Sequence, residues 1–177
     1  MNCGCKLGSA TAVEAFLQLL EEHLRDWRLV FCSEFDAFAG DEEIQCSDGS
    51  KAYVHDPGVG RHRVAWVVKP DLFDSLKCVE WKGRCGALTF SNRERGGGSH
   101  DFAVFGIHGA HGEHLHETLA DLAALVRKNS TRARLCVGDW NLDQLPAMFG
   151  DPWEDDNQAE VRGMQTAGWQ LTFFVTR

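Results

Sequence analysis

The segment from Arg134 to Asp143 is an apolar run that ends in Gly138-Asp139-Trp140-Asn141, and no other stretch of the sequence is better suited to chemistry. Side chains alternate along a strand, so Asp139 and Asn141 fall on one side and Trp140 on the other. A carboxylate and a carboxamide side by side can hold an attacking water and a phosphate oxygen. On those four residues alone, an ordinary strand-to-turn junction is the better reading, because Asp and Asn are common there. A second set of reactive groups begins at His108, which closes the apolar stretch Phe102-Ala-Val-Phe-Gly-Ile-His108. An imidazole that titrates near neutral pH suits proton transfer. His111, His114 and His116 follow closely and raise a zinc site as a rival, since neutral imidazoles are good transition-metal ligands. No cysteine or carboxylate completes a zinc-type spacing around them, so solvated histidines are expected.

The elements that must position these groups can be read from periodicity. Residues 9 to 26 place apolar side chains at 13, 16, 17, 20 and 24, one face of a helix, with Ser9 or Thr11 available as a cap. A β-rich run from Arg28 to Ser33 follows and ends at Glu34. Residues 40 to 62 are polar and glycine-bearing around Ala52 to Val54, which predicts a loop with one weak strand. Three strands are expected over Arg63 to Lys69, Leu76 to Trp81 and Cys85 to Phe90, with Pro70 and Gly83 in hairpin-like connections. Ser91 to Ser99, containing Gly96-Gly97-Gly98, reads as a turn, and Asp101 to His108 as another strand. His114 to Asn129 carries Leu115, Leu119, Leu122 and Val126 on one helical stripe, and Arg134 to Val137 forms the strand that leads into Asp139. The tail holds Pro146, Pro152, an acidic cluster and the apolar run from Trp169 to Val175. Residues 1–177 show no repeat and read as one domain.

The order of these features resembles the endonuclease/exonuclease/phosphatase superfamily, typified by deoxyribonuclease I and by retrotransposon endonucleases. In that family an Asn ends the first strand, a Glu follows a helix and a strand, a His ends a central strand, and Gly-Asp-aromatic-Asn ends another. The matching positions are Asn2, Glu34, His108, Asp139 and Asn141. The resemblance implies an α/β fold: a two-sheet β-sandwich flanked by helices, in the DNase I-like α/β/β/α layering. It implies Glu34 as ligand to Mg²⁺ or Mn²⁺ and His108 as proton donor to the leaving oxygen. It further implies that Asp139 and Asn141 hold water and phosphate, and that Asn2 orients the metal ligand and the substrate. The implied activity is endonuclease-like hydrolysis of a phosphodiester, with nucleic acid as partner and substrate.

The sequence departs from that pattern at both ends. Asn2 has no strand before it, no Ser-Asp-His follows Asn141, and no histidine lies beyond His116. The expectation is therefore a domain lacking the first strand and the last catalytic triplet; loss of a general base costs ~10²-fold to 10⁴-fold in rate. Two other readings stay open. One is a catalytically dead remnant that acts as a structural or protein-binding module through incomplete sheet edges. The other is a phosphomonoesterase acting on lipid or sugar phosphates, since specificity in such folds lies in loops.

Composition narrows the setting. With 44% hydrophobic and 25% charged residues, the chain of 177 residues has the make-up of an ordinary globular domain, able to bury a core without staples. Seven cysteines form an odd set without zinc-type pairs, so reduced thiols are expected. No apolar run approaches the ~20 residues of a membrane helix, and the N-terminus shows no secretory pattern, which together predict an intracellular protein without membrane contact. The net charge of -8 argues against a surface that grips a nucleic-acid backbone through many phosphate contacts.

Overall fold

The computed structural model describes residues 10–23, 26–35, 42–58, 63–93, 99–110, 114–129 and 133–140. Two four-stranded sheets pack face to face, with one helix on the outside of each. The first sheet has the order β1-β4-β3-β2 and is antiparallel throughout; its strands are β1 (Leu29–Ser33), β2 (Glu42–Gln45), β3 (Lys51–His55) and β4 (Val64–Val68). The second has the order β5-β6-β7-β8, with β5 (Leu76–Lys82), β6 (Cys85–Arg93), β7 (Ser99–His108) and β8 (Ala133–Asp139). Its β7 and β8 run parallel, because helix α2 (Leu115–Lys128) carries the chain back across the sheet between them. This is the expected α/β sandwich flanked by helices, and it is the DNase I-like fold class.

Burial explains the layering. Every residue of β4, Val-Ala-Trp-Val-Val, is buried, since Ala65 and Val67 face helix α1 (Ala10–His23) while Val64, Trp66 and Val68 face the other sheet. Alternation thus yields a continuous apolar run wherever both faces are covered. On the outside, α1 contributes Val13, Phe16, Leu17 and Leu20, and α2 contributes Leu115, Leu119, Leu122 and Val126. Between the sheets, Gly86 pairs with Gly106 and leaves a trough for aromatic rings. A Cβ on Gly106 would lie 2.1 Å from the Phe31 ring, and one on Gly86 would lie 2.3 Å from Trp81.

The structure revises several boundaries. Within the stretch expected to be a loop with one weak strand, β2 and β3 form an antiparallel hairpin. Glu-Glu-Ile-Gln offers one apolar side chain, Ile44, so it forms a polar edge strand that local pattern does not reveal. Strands β6 and β7 also extend beyond Phe90 and before Asp101, pairing as far as Arg93 and Ser99. Strand β8 runs on through Gly138 to Asp139, two residues past the expected end. Among the described residues, no helix is long and apolar enough to cross a membrane.

Candidate functional site

Three of the sequence-marked residues meet at one rim of the sandwich. Glu34 follows β1 directly and adopts φ 55, one of two left-handed non-glycine residues among those described. Its neighbours impose that conformation: Ser33 and Phe35 are fully buried, and the Phe35 N–H donates to the Arg63 carbonyl at 2.9 Å. Left-handed backbone at a residue with a Cβ costs roughly 1–2 kcal/mol, a strain that surrounding packing must maintain. The result is a half-buried carboxylate turned toward the end of β7.

At that end His108 is 2% exposed, with Nε2 4.0 Å from Glu34 Oε1. This is an ion-pair distance and longer than a hydrogen bond. The strand alternation that sets Val104 and Gly106 toward the other sheet carries His108 to the same inner face. Its backbone N–H donates to the Arg84 carbonyl at 3.1 Å, which extends the β6–β7 ladder by one rung.

Asp139 lies beside His108 in the parallel register of β7 and β8. The Gly109 N–H donates to the Asp139 carbonyl at 2.7 Å and fixes the two strand ends together. That closeness requires glycine. Gly138 has φ 140 and a Cβ there would lie 2.0 Å from the Ile107 carbonyl oxygen, while one on Gly109 would lie 2.3 Å from the Trp140 carbonyl oxygen. Cys136 and Trp140 pack toward α2, whereas Val137 joins the inter-sheet cluster with Phe31. Asp139 therefore shares the inner side with Val137, opposite Trp140, as the strand period predicts. Asn141 and Asn2, the other expected site residues, lie outside the described residues.

The same rim carries groups that the sequence reading passed over. Arg84 occupies the two-residue turn between β5 and β6, next to the His108 rung; burial lowers its pKa from the usual guanidinium value, and no acid among the described residues pairs with it. Arg63 Nε meets Asp56 Oδ2 at 3.0 Å. His55, at the end of β3, stacks on Trp81 of β5 with ring centroids 5.1 Å apart and planes 7° apart. Arg84 and His55 each sit at a turn or strand end whose partner is distant in sequence, so no local spacing flags them.

For a divalent cation, the available donors are carboxylates. Among the described residues no group of three or more His, Cys, Asp or Glu side chains is arranged to hold a metal. His114 and His116 are exposed at the start of α2, and His111 lies outside the described residues. Thiolate ligation is disfavoured as well, because burial pushes the Cys46 thiol up to about 11 and the Cys85 thiol well above its ordinary value. Mg²⁺, in contrast, needs only one or two carboxylates together with waters and substrate oxygens. Glu34, half-buried at the rim, can supply one such carboxylate.

No family model matches the sequence, and no curated protein matches it. Among solved structures, the chain is similar to the crystal structure of the Xenopus laevis APE2 catalytic domain, with a TM-score of 0.55 at 11% sequence identity. The match covers 90% of this chain and 63% of that one, so the chain spans less than two thirds of that domain. At this identity the likeness establishes the fold alone.

Proposed function

We propose that this protein is a divalent-metal-dependent phosphodiester hydrolase of the endonuclease type, acting on nucleic acid. The observation that carries the reading is the meeting of Glu34, His108 and Asp139 at one rim, from positions that are 74 and 31 residues apart in sequence. Glu34 is the ligand for Mg²⁺ or Mn²⁺, and such an ion, when bound, neutralises charge at the reacting phosphate. Asp139 accepts a hydrogen bond from the attacking water and aligns its oxygen with phosphorus, with Asn141 and Asn2 assigned to the phosphate oxygens. A water oxygen–phosphorus bond forms as the water passes a proton to Asp139, the phosphorus–oxygen bond to the leaving sugar breaks, and the leaving oxygen takes up a proton from solvent water.

His108 was expected to supply that proton. At 2% exposure and facing Glu34, its imidazole is better suited to hold the Glu34 carboxylate in place, so we assign it a positioning role. Arg84 supplies guanidinium N–H donors to the two non-bridging oxygens, the bidentate geometry that phosphate favours. The test is nicking of supercoiled plasmid in Mg²⁺ by the wild type and by a His108→Ala, Asp139→Ala double variant. Faster nicking by the wild type supports the reading, and equal rates end it.

A further inference from the structure

We infer that Asp56 and Arg63 are positioning residues for Glu34: their ion pair holds a backbone bulge that aims the Glu34 carboxylate across the rim. This inference deepens the hydrolase reading above and rests on it for the role of Glu34. In the first sheet β1 pairs with β4 from Leu29↔Val68 to Ser33↔Val64, a register whose next step sets Glu34 opposite Arg63. The hydrogen bond found there comes from one residue further on, because it is the Phe35 N–H that reaches the Arg63 carbonyl, at 2.9 Å. One residue on the β1 side is therefore extra, and Glu34, with φ 55, is that residue. Side-chain directions agree. Val30 and Cys32 belong to the cluster under α1, so strict alternation would send Glu34 to that side and Phe35 to the inner side. Instead Phe35 is buried in the α1 cluster and Glu34 faces His108. A single left-handed residue inserted at a ladder's end is a β-bulge, a device that re-aims a side chain.

The bulge closes on Arg63, and Asp56 holds Arg63. The β3–β4 register ends at His55↔Val64, and its next step sets Asp56 opposite Arg63. There Arg63 Nε lies 3.0 Å from Asp56 Oδ2, with the two side chains 17% and 25% exposed. Salt screens a pair of such limited exposure less than one in open water. The other oxygen of the same carboxylate, Oδ1, accepts the Gly58 N–H at 2.8 Å, so Asp56 also shapes the start of the connection to β4. Because β4 lies between β1 and β3, Arg63 stands at its entrance with Phe35 on one side and Asp56 on the other. Strand ends open more readily than strand centres, and here the ion pair ties the end down. Without it the Arg63 carbonyl can leave the Phe35 N–H, and β1 can relax toward the alternation that turns Glu34 to the α1 side. A ligand that must stand within about half an ångström of its productive position does not survive that change.

The experiment compares Asp56→Ala, Arg63→Ala, the double variant and the conservative Arg63→Lys with the wild type. Lys51→Ala is the control, because its ion pair with Glu43 lies at the opposite end of β3. Three quantities are read on each folded protein: hydrogen exchange of the Phe35 amide by NMR, Mn²⁺ affinity by calorimetry, and plasmid nicking in Mn²⁺. We expect each alanine variant to speed Phe35 exchange and to weaken Mn²⁺ binding about tenfold, the lower end of the effect of losing a group that orients a metal ligand. The double variant should lose no more than the larger single loss, and Arg63→Lys, which keeps a cation facing Asp56, should stay within about threefold of the wild type. Lys51→Ala should leave Mn²⁺ binding and nicking unchanged. If an alanine variant fails to fold, Asp56→Asn, which keeps an acceptor for the Gly58 N–H, is read in its place. Mn²⁺ affinity unchanged in the Asp56 and Arg63 variants, or an equal loss in Lys51→Ala, would overturn the positioning role, since a merely structural pair changes stability and not the affinity of folded molecules. A wild type that binds no Mn²⁺ would remove the hydrolase reading. Phe35 exchange then decides for the pair: acceleration in the variants supports its hold on the bulge, and unchanged exchange ends it.

Discussion

On the outer face of the second sheet, beneath the end of α2, both polar side-chain atoms of Asn129 are engaged. Its Nδ2 donates to the Leu125 carbonyl at 3.0 Å and to Glu80 Oε2 at 2.8 Å, while its Oδ1 accepts from Thr89 Oγ1 at 3.1 Å. Lys128 completes the cluster at 2.6 Å from Glu80 Oε1. At the rim of the sandwich the arrangement is different: the carboxylate of Glu34 stands 4.0 Å from His108, and the guanidinium of Arg84 has no acid partner among the described residues. The first region spends its hydrogen-bonding capacity on joining helix to sheet. The second sets a carboxylate at a strained backbone position, Glu34 with φ 55, the kind of outlier that clusters at functional sites.

This contrast can be broken by substitution. The largest effect is expected at the rim: Asp139→Asn should lower phosphodiester hydrolysis by ~10²-fold or more while the melting temperature stays close to that of the wild type. Activity and melting measured on one preparation decide it, and a parallel fall in both would place Asp139 with the structural group. Next comes Gly138→Ala. Its Cβ would meet the Ile107 carbonyl oxygen at 2.0 Å in a φ 140 backbone, so β7 and β8 must part, at a cost of roughly 1–3 kcal/mol visible in urea unfolding. Under α2, Asn129→Ala should cost about 1–3 kcal/mol through the groups it leaves unpaired and should leave hydrolysis unchanged.

The acid limb of stability sharpens the comparison. Glu80 is held below its ordinary carboxyl value of 4.5, first by the bond from Lys128 and next by the one from Asn129. A carboxyl depressed in the folded state contributes stability above its ordinary value, and that contribution disappears as pH falls through the folded value. Thermal melts from neutral pH downward should therefore show Glu80→Gln with a shallower acid decline than the wild type. The smallest effect belongs to the exposed pair Arg28–Asp71, with side chains 69% and 49% exposed: Arg28→Ala should change stability by about 0–1 kcal/mol, less at high salt.

How far the sequence discloses this molecule depends on the range of the interaction concerned. Strand β4 and the stripe of α2 are legible because burial imposes a local period on consecutive residues. Asp139 and His108 are legible because each ends an apolar strand, and a strand's last inward residue stands at a rim. The β2–β3 hairpin escapes notice because an edge strand needs little apolar surface, and Glu42–Gln45 has only Ile44 to signal it. His55 and Trp81 meet only because β3 lies over β5, an arrangement set by packing between sheets. Arg84 is hidden for a similar reason, since a charged residue in a tight turn looks like any solvated turn until its rung with His108 is known. The strain at Glu34 is likewise a consequence of the buried neighbours on either side.

The measurement that bears most directly on Glu34 as the metal ligand is a calorimetric titration of the protein with Mn²⁺. We predict one site in the wild type, with affinity reduced at least tenfold in Glu34→Gln while the variant keeps its fold by circular dichroism. Affinity and stoichiometry unchanged in Glu34→Gln would contradict a cation held at the end of β1.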